Sequence, residues 1–430
     1  MQNTISDKPK RRHAWVLIHR YVGLFLAFFL IIAGITGTAI AFYKELDRAL
    51  NPELFNIVER STAPLNADQL ADKVQQAYPH ALITQLMLDR APGQSVQVFL
   101  RTTTDPVSGT AYPLQHTHLF VDPFDGRLLG GRDRGVFHTD RAHFMPFIYK
   151  VHYTLYLPGN WGTWFMGIVA LIWMFDCFVG FYITLPPTKH SKTTPSKTWW
   201  QRWRPAWQIK RNASRTRLNF DLHRASGLWL WIVLFTLAMS GVYFNLKFEL
   251  FRPVLGAMAE LTPDFQRSLP NLPQANAPVT LTFEQALARG RAVLAPELQY
   301  MVPSYVGYTS EAPGLLKVRF ADPGRGDDNW RFHYENLFLD GQTGELITRV
   351  GYSNGTAADK FVMWQYPLHS GQVFGFWGRA FMGLVGLATT LLSITGIIIW
   401  LKKRRAEVLR SAGITSPNTL AFNSEARLIQ

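Results

Sequence analysis

Four histidines carry the chemistry available to this sequence, because each has a histidine counterpart elsewhere in the chain. Sliding Trp15–Glu45 (WVLIHRYVGLFLAFFLIIAGITGTAIAFYKE) by 204 residues places His19 on His223, Arg20 on Arg224, Gly23 on Gly227, Gly37 on Gly241 and Glu45 on Glu249 without a gap. A shift of 217 relates His152 to His369. None of the remaining histidines, of 12 in all, has a histidine partner under the repeat. Two facing imidazoles can hold one haem iron between them as axial ligands, so two such pairs at two depths describe two bis-histidine sites. Zinc is poorly served, since neither pair brings the third and fourth N, S or O ligand that zinc takes. No CxxCH is present, which excludes the usual covalent c-type attachment, and the single cysteine, Cys177, excludes an intramolecular disulfide.

The elements that must position these residues are membrane helices. The chain is 47% hydrophobic and 14% aromatic with only 17% charged residues, an apolar balance for its length. Apolar cores at Tyr21–Tyr43, Trp161–Leu185, Ala225–Leu246 and Ala380–Leu401 each reach the roughly 20 residues a crossing needs. Of these, the second alone holds a formal charge, Asp176, whose counterpart is Leu392; no role for it follows from the sequence. Ala39–Ile40–Ala41 has the form of a signal cleavage site. The apolar run is too long for a signal peptide and its copy is internal, so the first span is expected to be retained. The net charge of +14 sits beside the spans, with KPKRR at the N-terminus, KKRR after the last span, and nine Lys or Arg with no acid between residues 187 and 220. That placement argues against nucleic-acid binding and puts both termini and the middle loop in the cytoplasm.

The expected architecture is an α-helical four-span bundle with two α+β extracytoplasmic domains, written as helix, domain, helix, twice. Residues 1–14 form a basic cytoplasmic N-terminus, 15–45 the first span, 46–160 the first outer domain and 161–185 the second span. A basic cytoplasmic loop (186–221) follows, then the third span (222–246), the second outer domain (247–377), the fourth span (378–401) and a cytoplasmic tail (402–430). In the outer domains Asn66–Ala77 and Thr282–Leu294 have helical spacing, while Ser95–Arg101 and Gly314–Phe320 read as strands. LFVDPFDGRLL at Leu119 and LFLDGQTGELI at Leu337 read as hairpins in which Asp122, Gly126, Asp340 and Gly344 serve the turns and are not catalytic. Each unit crosses an even number of times, so the pseudo-two-fold axis runs along the membrane normal.

In this arrangement His19 and His223 lie at the inner level, and His152 and His369 lie just before the second and fourth spans at the outer level. Gly37 and Gly241, eighteen residues beyond their histidines, reach the outer level about 27 Å away at 1.5 Å per residue. Gly180 and Gly396 fall at the inner level. All four glycines could make room for a flat macrocycle or could let helices approach closely. Arg20 and Arg224 suit haem propionates and equally suit inner-face anchoring, and most of the tryptophans suit an interfacial belt.

Together the HRxxGL runs at His19–Leu24 and His223–Leu228, the TG or SG late in each of those helices, the VDPxDG and LDxxTG hairpins and the histidine before each even span resemble the PepSY-associated transmembrane proteins. Within that family the chain is similar to inner-membrane ferrisiderophore reductases. The resemblance covers Arg12–Arg405 and implies two PepSY-like periplasmic domains and two non-covalent haem b groups. It also implies an oxidoreductase of the inner membrane, passing electrons to a periplasmic ferric siderophore and releasing iron as Fe(II). His19, His223, His152 and His369 match the recurring histidines of the family. LPGNWG before the second span and VFGFWG before the fourth differ by one residue in their distance from the histidine, which makes His143 a second candidate for the outer level. No GxGxxG follows a strand, so the electrons come from a separate cytoplasmic reductant or the quinol pool. Neither a Ser-His-Asp set nor HExxH is present. Two other readings are open: a non-catalytic membrane sensor whose outer domains bind peptides or a protease, without haem, and a haem electron carrier with a different periplasmic acceptor. The irregular stretches Thr102–Gln115 and Asp322–Arg331 would form the acceptor surface.

Overall fold

The computed structural model describes residues 8–186, 197–323 and 333–412, which leaves most of the Asp322–Arg331 stretch, part of the basic loop and the end of the tail outside the described residues. The chain forms two compact units: a helical unit (1–41, 151–251 and 380–430) and a sheet unit (42–150 and 252–379).

In the helical unit the first span is one helix, Lys8–Ile40, and the second is Trp161–Thr184. The second closes at Leu185, which is extended (φ −63°, ψ 144°) because it precedes Pro186. The fourth is a single helix, Gly375–Ser411. These three are long and apolar enough to cross a membrane. The third span differs from the expected unbroken 222–246 helix. It is a pair, Arg215–Trp229 and Trp231–Asn245, bent by 68° and counting as a fourth crossing if the pair is one span. A serine and a glycine, Ser226 and Gly227, stand one turn before the break, and the Ser226 hydroxyl donates to the Leu222 carbonyl. Such a pair weakens the local helical ladder where no proline is present.

Small residues set the helix crossings. A Cβ built on Gly34 would lie 2.5 Å from the Gly386 carbonyl oxygen, and one on Gly386 would lie 2.7 Å from that of Gly34. Thr38, one turn beyond Gly34, donates its hydroxyl to the Gly383 carbonyl at 3.0 Å. The first and fourth spans therefore touch backbone to backbone through paired small-xxx-small motifs.

The sheet unit corrects the expectation of two separate domains, because both halves build one antiparallel sheet. Its eight strands are β1 (Ala81–Met87), β2 (Val96–Thr102), β3 (His118–Val121), β4 (Leu128–Arg132), β5 (Val302–Tyr308), β6 (Leu315–Ala321), β7 (Tyr334–Asp340) and β8 (Leu346–Gly351). Their order is β4-β3-β2-β1-β5-β6-β7-β8, joined at the centre where Leu86 pairs with Val306 and Met87 with Tyr305. The duplication extends to irregularities: the β1/β2 register shifts between Ile83 and Gln85, and β5/β6 between Pro303 and Tyr305. Helices Ala67–Ala77 and Phe283–Val293 cover one face and share a continuous apolar core with it. Both begin with a capping box, from Asn66 and Thr282, as their Asn-x-x-Gln and Thr-x-x-Gln openings dictate. Each also caps the other. Glu284 accepts from the Ala67 amide at 2.8 Å, and Asp68 accepts from that of Phe283 at 2.7 Å. Both hairpins turn as expected, with Gly126 (φ 73°) and Gly344 (φ 74°) in the left-handed region and the aspartates accepting turn amides.

Candidate functional site

Within the helical unit, His19 and His223 face each other. Their ring centroids are 6.3 Å apart and their planes are inclined by 54°. His19 comes from the first span, and His223 from the helix before the break in the third. Each ring is fixed from behind through Nδ1. His19 Nδ1 lies 3.0 Å from both carboxylate oxygens of Asp176, and His223 Nδ1 lies 3.0 Å from the Leu392 carbonyl and 3.1 Å from the Thr395 hydroxyl. With the Nδ1 proton donated to these acceptors, the lone pair available for coordination is on Nε2.

His152 is seated in the same way. The Thr36 hydroxyl donates to the Ile32 carbonyl at 2.7 Å, so at 3.0 Å it accepts from His152 Nδ1. His369 lies within the sheet unit, at the end of helix Ala357–Ser370, which Gly371 closes in the left-handed conformation (φ 75°). His143 is not suited to the role of second candidate, because both ring nitrogens are engaged. Nδ1 contacts Asp140 at 2.7 Å, and Nε2 accepts the Asp133 amide at 3.1 Å.

Three of the four glycines lie against histidine rings. A Cβ on Gly180 would meet His19 Cε1 at 3.3 Å, one on Gly396 would meet His223 Cε1 at 3.2 Å, and one on Gly37 would meet His152 Cε1 at 3.1 Å. Each of these three lets an imidazole edge rest on the backbone of a neighbouring helix, which holds the ring's rotation. Gly241 meets Ala170 Cβ at 3.1 Å and serves helix packing.

The His19 and His223 rings border a cavity of about 1280 Å³ whose wall includes Trp173, Trp231, Trp400, Gly180 and Gly396. Among the described residues, six cations also line it (Arg12, Arg20, Arg217, Arg224, Lys402 and Lys403), against one carboxylate, Asp176, that already serves His19. Arg224 is partly committed, since its Nη2 donates to Asp221 and to the Pro205 carbonyl, both at 2.8 Å. Its Nε is buried and has no partner among the described residues. Asp221 also receives Arg217 Nε at 3.0 Å, so this buried acid gathers two of the cavity's cations.

These residues fit a haem. A metal held between two imidazole nitrogens at about 2.0–2.1 Å each, with about 1.1 Å from nitrogen to ring centre, separates the centroids by about 6.3 Å. The cavity's apolar walls suit a macrocycle and its excess cations suit two carboxylates. Among the described residues no three His, Cys, Asp or Glu side chains gather as a bare-metal site. Sequence reasoning missed Asp176, Thr36, Thr395 and Asp221 as partners. Asp176 alone carried a signal, as the sole formal charge in an apolar run.

The fold and the facing, back-bonded His19 and His223 define a helical membrane protein with a histidine pair inside its helical unit. Residues 16–403 match the PepSY-associated TM region, and the chain belongs to that family. No protein of curated description matches it.

Proposed function

We propose that this protein is an inner-membrane di-haem b oxidoreductase that moves electrons across the bilayer to a ferric siderophore and so releases iron as Fe(II). The observation that carries the reading is the 6.3 Å separation of two imidazoles whose Nδ1 atoms are both held from behind. Haem b bound there would supply one-electron redox chemistry. His19 and His223 would hold it through Nε2, and Gly180 and Gly396 keep the two rings from turning. Arg20, Lys402, Lys403 and the free Nε of Arg224 would meet the propionates. His152 and His369 are the ligands proposed for the second haem. The basic segments beside the spans support a cytoplasmic side for the residues flanking His19 and His223.

The substrate class comes from the similarity to ferrisiderophore reductases. Hard oxygen chelators hold Fe(III) far more tightly than Fe(II), so one electron releases the metal without cutting the chelator. The donor is a separate reductant or the quinol pool, since no dinucleotide-binding fingerprint is present. The test is the absorbance spectrum of detergent-purified protein, oxidised and dithionite-reduced, with a pyridine haemochrome count. About two b haems per chain, oxidised by ferric siderophores, is the expected result. Protein that stays colourless when expressed with excess haem refutes the reading.

A further inference from the structure

Asp176 and Leu392 occupy equivalent positions in the duplicated spans, 216 residues apart, and each serves the histidine that rests on its helix. They serve it with different groups. Leu392 offers its main-chain carbonyl to His223, whereas Asp176 offers a carboxylate to His19, both oxygens within 3.0 Å and the side chain only 8% exposed. The hydrogen bond behind the ligand is thus common to both halves, and the negative charge belongs to one.

A carboxylate behind a ligating imidazole fixes the ring and raises its basicity, and a more basic ligand stabilises the more highly charged metal state. We infer that Asp176 is a positioning residue that lowers the reduction potential of the iron held by His19, making that iron the readier electron donor of the two. The inference rests on the haem reading above. No bond is made or broken by Asp176; it polarises the Nδ1–H of His19 while Nε2 ligates. Removing an outer-shell partner of a metal ligand changes metal affinity by about 10–100-fold. If even the lower value falls on Fe(III) alone, the equilibrium shifts tenfold, which is about 59 mV for one electron.

The experiment is a potentiometric titration, followed in the haem absorbance, of full-length wild type, Asp176→Asn and Asp176→Glu, each with a haemochrome count. Asparagine keeps an acceptor for Nδ1–H but removes the charge, and glutamate keeps the charge. The expected result is two haems in all three proteins, with one potential raised at least tenfold in its equilibrium in Asp176→Asn and near wild type in Asp176→Glu. Unchanged potentials in an Asp176→Asn protein with both haems would overturn the inference. Loss of a haem from Asp176→Asn would also overturn it, by making Asp176 a residue that holds the ligand in place instead of tuning it. Wild-type protein without haem is a separate result that removes the underlying function.

Discussion

Removing Asp47 should unsettle the sheet unit far more than removing it together with its partner. Arg132 is 2% exposed and Asp47 1%, and the two meet fork to fork, Nη1 to Oδ1 at 2.9 Å and Nη2 to Oδ2 at 2.8 Å. Arg132 also donates to the Ala142 carbonyl at 2.8 Å and to His118 Nδ1 at 3.2 Å. One guanidinium therefore ties the helix after the first span, strand β4 and the start of the helix that carries His152. Asp47→Ala leaves that cation buried with half its bonds, at a cost of about 3–5 kcal/mol. At about 2–4 °C per kcal/mol for a unit of this size, the transition should fall by about 6–20 °C. Replacing both partners by apolar residues, Asp47→Leu with Arg132→Met, removes the stranded charge and should cost less than either single change. The assay is differential scanning calorimetry of the detergent-purified full chain as a double-mutant cycle. A drop below about 2 °C for Asp47→Ala, or a double variant as destabilised as the sum of the singles, would refute the reasoning.

Gly386→Val should separate the first and fourth spans, since its Cβ would meet Thr38 Oγ1 at 2.5 Å and the Gly34 carbonyl at 2.7 Å. A loss of about 1–3 kcal/mol should appear as early thermal aggregation on size-exclusion chromatography, and an unshifted profile would show that this crossing is not needed. His118 is buried, and burial, ahead of the nearby Arg132 and Arg134 charges, holds its pKa well below the usual imidazole value. The unfolded chain takes up a proton below pH about 6.5 where the folded chain does not, so stability should fall as pH drops, by up to about 1.4 kcal/mol per unit. His118→Gln should remove that component, read as a smaller loss of melting temperature between pH 8 and pH 5 than in wild type; an equal loss would count against it.

What was legible in the sequence was whatever is written locally or written twice. The first, second and fourth spans follow from apolar length, the two sheet-unit helices from their capping boxes, and the hairpins from Asp and Gly at turn positions. The break after Trp229 was not legible, because leucine at the bend carries no breaker signal and the Ser226–Gly227 pair lies a turn upstream. Nor was the single sheet, since β1 and β5 meet through only two residue pairs and the strands are 215 or more residues apart. The His19–His223 pair was visible through the duplication. The supports behind the histidine rings were hidden by distance: Asp176 lies 157 residues from His19, and Thr36 lies 116 from His152. Nor could periodicity say that Gly180 and Gly396 lie against the His19 and His223 rings.

The duplication separates what assembly requires from what one site requires. Features present in both halves are those without which the halves could not join. Asp68 and Glu284 cap each other's helices, and the paired edges of β1 and β5 leave neither exposed to another chain. Features in one half only lie where a residue answers to its own surroundings. Asp47 and Arg132 have Phe251 and Val350 as counterparts, so the second half does not repeat that pair; its hairpin instead brings Arg349 Nε to 3.8 Å from the buried Glu335 carboxylate. Asp176 and Leu392 show both at once. The need to anchor Nδ1 is met on both sides at the same helical position, by carboxylate on one and by main-chain carbonyl on the other. A leucine satisfies the anchoring requirement at no cost in buried charge, so an aspartate there must offset its own desolvation by something anchoring alone does not supply. Charge behind the imidazole is the property that distinguishes the two, which is why, with His19 as the proposed haem ligand, the potential and not the haem content is the quantity that Asp176→Asn should move.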